Sequence, residues 1–156
     1  MLKRSNPLAR QLHENLSVVL CFVYSRQPLW DIGNAVRGEW KYGWKMIQEY
    51  AELRADRALW DFAIQLRALD DEEDLDAQLQ EYGFPPFGEV RKTGSPSEPL
   101  YLRDMTNKII HAVGFSYKIE DRNEPLIGCH AREGSRWDVG VIEVQKLMHF
   151  GSTLGS

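Results

Sequence analysis

The first part of the chain carries apolar residues at three- and four-residue intervals, which is the spacing of one face of an α-helix. Asn6 and Pro7 are typical of a helix start, and Pro28 predicts its end. We therefore predict a first helix between Pro7 and Pro28. Its apolar stripe comprises Leu8, Leu12, Leu16, Val19 and Val23.

A longer helical pattern runs from about Asn34 to Leu69. A single helix of this length would be long for one domain, so we expect a break near residues 54–56. We interpret its tryptophans as large core residues, the alternative being that Trp40 and Trp44 form a stacking platform for a ligand. The apolar positions are Trp40, Trp44, Ile47, Ala51, Leu53, Leu59, Trp60, Ala63 and Leu66.

An acidic run, residues 70–74, precedes Leu75, Leu79 and Tyr82. Carboxylates are favourable at a helix N-terminus, so we interpret the run as the start of a short helix that ends at Gly83, in preference to a metal site. Residues 83–99 then contain four prolines and three glycines, which predicts a long, mobile loop that could contact a partner.

Beyond this loop the pattern predicts one more helix, from Leu100 to Val113, and then changes to the alternation of β-strands. Strand-like runs cover residues 115–119, 126–130 and 137–144, with a turn at 121–124 and a last helical turn or strand end at 145–150. The expected fold is mainly α with a small C-terminal antiparallel β-sheet (α+β). We expect one domain, 1–156, with about four helices in a body (1–113) and a β-meander (114–150).

Composition narrows the class of protein. The chain has 156 residues, 19 basic and 23 acidic, with a formal charge of −4, which argues against a surface that binds nucleic acid all over. A local patch of Lys41, Lys45, Arg91 and Lys92 stays possible. Two distant cysteines, Cys21 (expected buried and inert) and Cys129, exclude a disulfide scaffold. We expect a cytoplasmic protein without membrane contact, metal or cofactor.

The most specific local pattern lies on the helix at 100–113. Its apolar face comprises Leu102, Met105, Thr106, Ile109, Ala112 and Val113. Arg103, Asn107 and His111 lie at i, i+4 and i+8 on another face, flanked by Asp104 and Lys108. An arginine can hold a phosphate and a histidine can move a proton near neutral pH. The alternative is the ordinary polar face of a surface helix, with His111 near a helix end.

This helix resembles the motif helix of the HEPN superfamily (higher eukaryotes and prokaryotes nucleotide-binding). The family motif is an arginine, often followed by a polar residue, and then a histidine within a few residues. Arg103 and Asp104 match the first two positions and His111 the last, with seven residues between Arg103 and His111, one more than the usual maximum. The segment 107–112 also resembles a pattern in uncharacterised bacterial proteins.

The resemblance implies a metal-independent endoribonuclease of bacterial antiviral defence or toxin–antitoxin systems. Such proteins are usually homodimers whose motif helices face each other. It implies that Arg103 holds the scissile phosphate of RNA, that His111 assists attack by the 2′-hydroxyl, and that Asp104 or Asn107 orients these groups.

Two other functions stay open from the sequence. The first is a catalytically silent helical interaction or scaffold module, which would bind a protein partner through the polar face of the helix at 100–113 or the proline-rich loop. The second is a nucleotide sensor in which Trp40 or Trp44 stacks on a base.

Overall fold

The fold is described from a computed structural model over residues 7–119 and 124–154. The elements follow in the order α1 (Pro7–Ala35), α2 (Trp40–Glu73), α3 (Leu75–Glu81), β1 (Gly88–Arg91), β2 (Glu98–Leu100), α4 (Leu102–Ile110), β3 (Gly114–Ile119), β4 (Pro125–His130), β5 (Val139–Glu143) and α5 (Val144–Thr153). The described residues thus contain five helices and one sheet, which confirms a mainly helical protein with a small antiparallel sheet.

The five strands form one antiparallel sheet in the order β2-β1-β5-β4-β3. The last three strands are the predicted meander, with Phe115 opposite Cys129 and Ile127 opposite Ile142. The other two come from the segment predicted to be a loop, so that prediction is wrong for residues 88–91 and 98–99, whereas residues 92–97 between these strands form no helix or strand. β1 joins the free side of β5, with Gly88 opposite Ile142. β2 is an edge strand, where Pro99 is tolerated.

Several predicted boundaries are also wrong. α1 continues through Pro28 to Ala35, and α2 shows no break at residues 54–56. The acidic residues 70–73 form the last turn of α2, where Asp74, with φ of 54°, ends the helix. One of these acids nevertheless stabilises the start of α3, because a carboxylate oxygen of Asp70 accepts a hydrogen bond from the backbone N–H of Asp76 at 2.7 Å. Asn6 and the turn at 121–123 lie outside the described residues.

The core lies between one face of the sheet and the helices. Phe87 and Phe150 meet edge to face at 5.5 Å in its centre. Cys129 is buried there, whereas Cys21 is exposed, contrary to prediction, because it lies on the solvent side of α1. All the predicted apolar residues of α4 are buried, and so is Ala112 beyond its end, whereas Val113 is exposed. The helices contribute Leu12, Leu16, Val19, Leu59, Phe62, Leu66, Met105, Ile109 and Leu147.

Helices α1 and α2 are longer than the core that they cover. They have 29 and 34 residues, or roughly 45 and 50 Å, whereas a small domain is about 30 Å across. The last buried residue of α1 is Val23 and the first of α2 is Ala55. Residues 24–54, called here the hairpin tip, therefore extend beyond the core as two antiparallel helices and their loop.

Candidate functional site

The predicted site residues lie on α4, which packs on the carboxyl-terminal half of α2. Buried Leu102, Met105 and Ile109 attach α4 to the core. The indole N–H of Trp60 donates to the carbonyl oxygen of Ile109 at 3.0 Å and secures the end of the helix. This attachment turns the predicted polar face toward the last turn of α2.

Arg103 is held by two carboxylates of α2. Its guanidinium donates to Asp70 at 2.9 Å and to Asp71 at 2.8 Å. The Asp70 side chain is fully buried, whereas 45% of the Arg103 side chain is exposed. Burying a carboxylate is costly unless it is paired and hydrogen-bonded, so this ion pair permits Asp70 to be inside the protein. Arg103 therefore has a clear structural role at this junction.

Asn107 takes part in the same network. Its side-chain oxygen accepts a hydrogen bond from Arg67 at 2.8 Å, and Arg67 also donates to Asp71 at 3.3 Å. Two arginines and two aspartates thus balance each other in charge between α2 and α4. Both arginines are paired with carboxylates, whereas a preformed phosphate site would need a cation without such a partner.

His111 and Asp104 are exposed, and His111 follows the last residue of α4 as its C-cap. Eight positions separate His111 from Arg103, or roughly 12 Å along a helix axis. Arg103 and Asn107 are therefore joined through α2, while His111 stands apart from them. Within one chain, the Arg103 guanidinium is held by Asp70 and Asp71, and no hydrogen bond among the described residues joins it to His111.

Sequence reasoning missed the most unusual surface of the molecule, the hairpin tip. Among the described residues, thirteen large apolar side chains are exposed, and nine of them belong to residues 24–54. Trp40, predicted to be a core residue, is 81% exposed. The nine residues are Tyr24, Trp30, Ile32, Trp40, Tyr42, Met46, Ile47, Tyr50 and Leu53.

The hairpin tip has defined contacts between its two helices. The indole of Trp44 and the amide of Gln48 both donate to the carbonyl oxygen of Leu29, at 3.2 and 3.1 Å. A Cβ on Gly33 would lie 1.9 Å from the Trp44 Nε1, so only glycine permits this close packing. Only Trp44 of the two predicted stacking tryptophans is partly covered, and it packs on α1.

At its base, the hairpin is joined to the sheet. The Tyr117 hydroxyl of β3 donates to Asp56 of α2 at 2.7 Å, and Arg26 of α1 donates to the Tyr117 carbonyl oxygen at 2.8 Å. Burial raises the pKa of Asp56, and the hydrogen bond from Tyr117 partly opposes this. Burial, with the nearby Asp56, raises the pKa of Tyr117.

Other features carry less chemistry. A cavity of about 440 Å³ between α3 and α5 is lined mostly by apolar side chains, among them Leu79, Phe84 and Phe150. Cys129 and His130 point to opposite faces of β4, and burial raises the pKa of Cys129 to about 12. Within residues 7–119 and 124–154, no three His, Cys, Asp or Glu side chains are grouped so as to hold a metal ion. Each helix in these ranges is too short or too polar to span a lipid bilayer.

Comparison with known proteins gives no matching family model, curated protein or solved structure. The HEPN resemblance therefore stays a prediction, and function must be argued from the residues themselves.

Proposed function

We propose that this protein is a helical interaction module that binds a protein partner through its hairpin tip. The observation that carries the proposal is the concentration of exposed aromatic and aliphatic side chains on residues 24–54. No residue in this range is buried. Large exposed apolar patches on soluble proteins mark interaction sites. Tryptophan, tyrosine and methionine are also the residues that are enriched at protein interfaces.

The charge of the hairpin tip favours a protein over a nucleic acid or an anionic membrane. Residues 24–54 contain five basic and four acidic side chains, so the tip is almost neutral. Phosphate contacts by lysine and arginine dominate nucleic-acid affinity, and a basic face drives adsorption to anionic lipids. A neutral, aromatic surface supplies neither attraction.

The test is photo-crosslinking in living cells, with a photoreactive phenylalanine analogue in place of Tyr50. The matched control places the same analogue at Ile64, an exposed apolar residue of α2 outside the hairpin tip. We expect discrete protein adducts from position 50 and not from position 64. Equal adducts from both positions, or none from position 50, would contradict an interaction role for the tip.

The ribonuclease activity is a second candidate. It is favoured by the solvent accessibility of Arg103, Asp104 and His111 along α4. An active site of this kind is formed by two α4 helices that face each other. This candidate therefore requires a homodimer through the Arg103–His111 face. The test is incubation with total RNA in EDTA. If the wild type cleaves RNA and the His111→Ala variant does not, this activity is established. If a dimeric wild type does not cleave RNA, the activity is rejected.

A further inference from the structure

The hairpin tip has a face on α2 that no part of the described chain covers. At 100° per residue, Tyr42, Met46, Tyr50 and Leu53 lie within an arc of roughly 80°. Trp44 and Gln48, which contact α1, lie on the opposite side of the helix. We call these four residues the outer stripe. Each of their side chains is at least half exposed.

One flank of the outer stripe carries an ordered set of charges. Along the helix the order is Lys41, Lys45, Glu49 and Glu52, two positive charges followed by two negative ones. These residues also lie within an arc of about 80°, between the outer stripe and the side that faces α1. Lys45 and Glu49 approach each other at 3.8 Å and are both largely exposed, so this pair contributes little within one chain.

This order is complementary to itself only when the direction is reversed. In an antiparallel pair of α2 helices that cross near residue 47, Lys45 of each copy faces Glu49 of the other, and Lys41 faces Glu52. The same crossing places Met46 against Tyr50 and Tyr42 against Leu53. In a parallel pair, this charged flank would instead face the partner's opposite flank, where Gly43 lies, so the four charges would not meet each other.

The other side of the stripe permits close contact. Gly43 lies there, and a Cβ at this position would meet no atom within 4 Å. An exposed glycine within a helix is destabilising relative to alanine, so the monomer gains nothing from it. A partner helix, however, could approach the backbone at this point.

Resting on the proposed function, we propose that the partner of the hairpin tip is a second copy of this chain, bound antiparallel through the outer stripe to form a four-helix bundle. The self-complementary order of charges selects this partner, since a two-fold interface requires that one surface match itself. Aromatic side chains bury roughly 150–250 Å² each, so Tyr42 and Tyr50, together with Met46 and Leu53, supply much of the ~800 Å² per subunit of a stable interface.

The test measures the mass of the purified full chain by sedimentation equilibrium. We expect the wild type to be a dimer. Lys41→Glu/Lys45→Glu and Glu49→Lys/Glu52→Lys should each weaken self-association by about tenfold or more. An equimolar mixture of these two variants should restore a dimer. The quadruple variant, in which all four charges are inverted, should also dimerise, because each lysine still faces a glutamate in the antiparallel pair.

Other outcomes overturn the inference and separate it from the proposed function. A monomeric wild type, or a dimer that is insensitive to both double variants, refutes antiparallel self-association. If the photoreactive analogue at position 50 then captures a chain of different mass, the interaction role survives without the homodimer. Flotation of a monomeric wild type with phosphatidylcholine–phosphatidylglycerol vesicles, lost in Met46→Asp, refutes both proposals.

Discussion

At the scale of single residues, Arg103 illustrates how a polar side chain that suggests catalysis can have a structural role. The guanidinium neutralises buried Asp70 and links α4 to the last turn of α2. We predict that Arg103→Ala lowers the free energy of unfolding by about 1–3 kcal/mol, because it leaves a buried carboxylate with less compensation. Denaturant unfolding monitored by tryptophan fluorescence measures the loss.

Two variants control this prediction. Asp70→Asn in the Arg103→Ala background should recover part of the stability, since the amide is neutral and still accepts the Asp76 N–H. His111→Ala, at an exposed position, should change stability by less than about 0.5 kcal/mol. A fully stable Arg103→Ala protein would show that the network does not contribute to the fold.

Asp56 gives a second prediction, on pH dependence. Burial raises its pKa above the ordinary value of 3.8, so ionisation of this group opposes folding. Its favourable contribution is complete below pH 3.8 and is lost as the pH rises through the pKa of the folded state. The stability of Asp56→Asn relative to wild type should therefore increase over this interval and be constant above it. A relative stability that falls with rising pH would contradict the assignment.

The sequence predicted the polar stripe of α4 but not what faces it. Arg103 and Asn107 were correctly placed away from the apolar residues Met105 and Ile109, because helical periodicity fixes these angles. Their partners on α2 are more than thirty positions away, and nothing in a local pattern indicates that helices α2 and α4 meet there. A potential phosphate ligand and a structural ion pair therefore have the same appearance in the sequence.

At the scale of elements, the hairpin tip depends on the fit between Gly33 and Trp44. We predict that Gly33→Ala displaces the Trp44 indole from α1, because the added Cβ would occupy the position of its ring nitrogen. Hydrogen–deuterium exchange should accelerate in residues 24–54 and stay unchanged in α4 and β4. The matched control is Gly114→Ala at the start of β3, where the added methyl group meets open space and exchange in residues 24–54 should not increase. Unchanged exchange in Gly33→Ala would mean that the tip does not require this contact.

Periodicity also explains the error in α2. Trp40, Ile47 and Leu53 have the same helical spacing as the buried Leu59, Phe62 and Leu66, so the pattern predicted one continuous core face. The length of the helix was the contrary signal: roughly 50 Å of helix exceeds the diameter of the domain that covers it. The predicted break near residue 54 would have made the helix short enough for one domain. In the structure the helix is unbroken, and the hairpin extends beyond the core instead.

At the scale of the whole molecule, the class of fold was predictable and the sheet was not. The strands of the meander show clear alternation, but β1 and β2 have four and three residues and lie among prolines and glycines. β2 pairs with β1, and β1 pairs with β5, about fifty positions away, which no local pattern reveals. The result is a body in which the sheet and helices share one core, with one long projection.

The central claim is that this projection is the surface through which the protein associates. The most direct test compares Met46→Asp with Ile64→Asp by light scattering during size-exclusion chromatography over a range of concentrations. Met46 and Ile64 are 51% and 54% exposed on the same helix, and their separation of 18 residues makes five whole turns, so both point the same way. We predict a dimeric wild type, a dimeric Ile64→Asp protein and a monomeric Met46→Asp protein with unchanged circular dichroism. Equal masses for the two variants would contradict the claim.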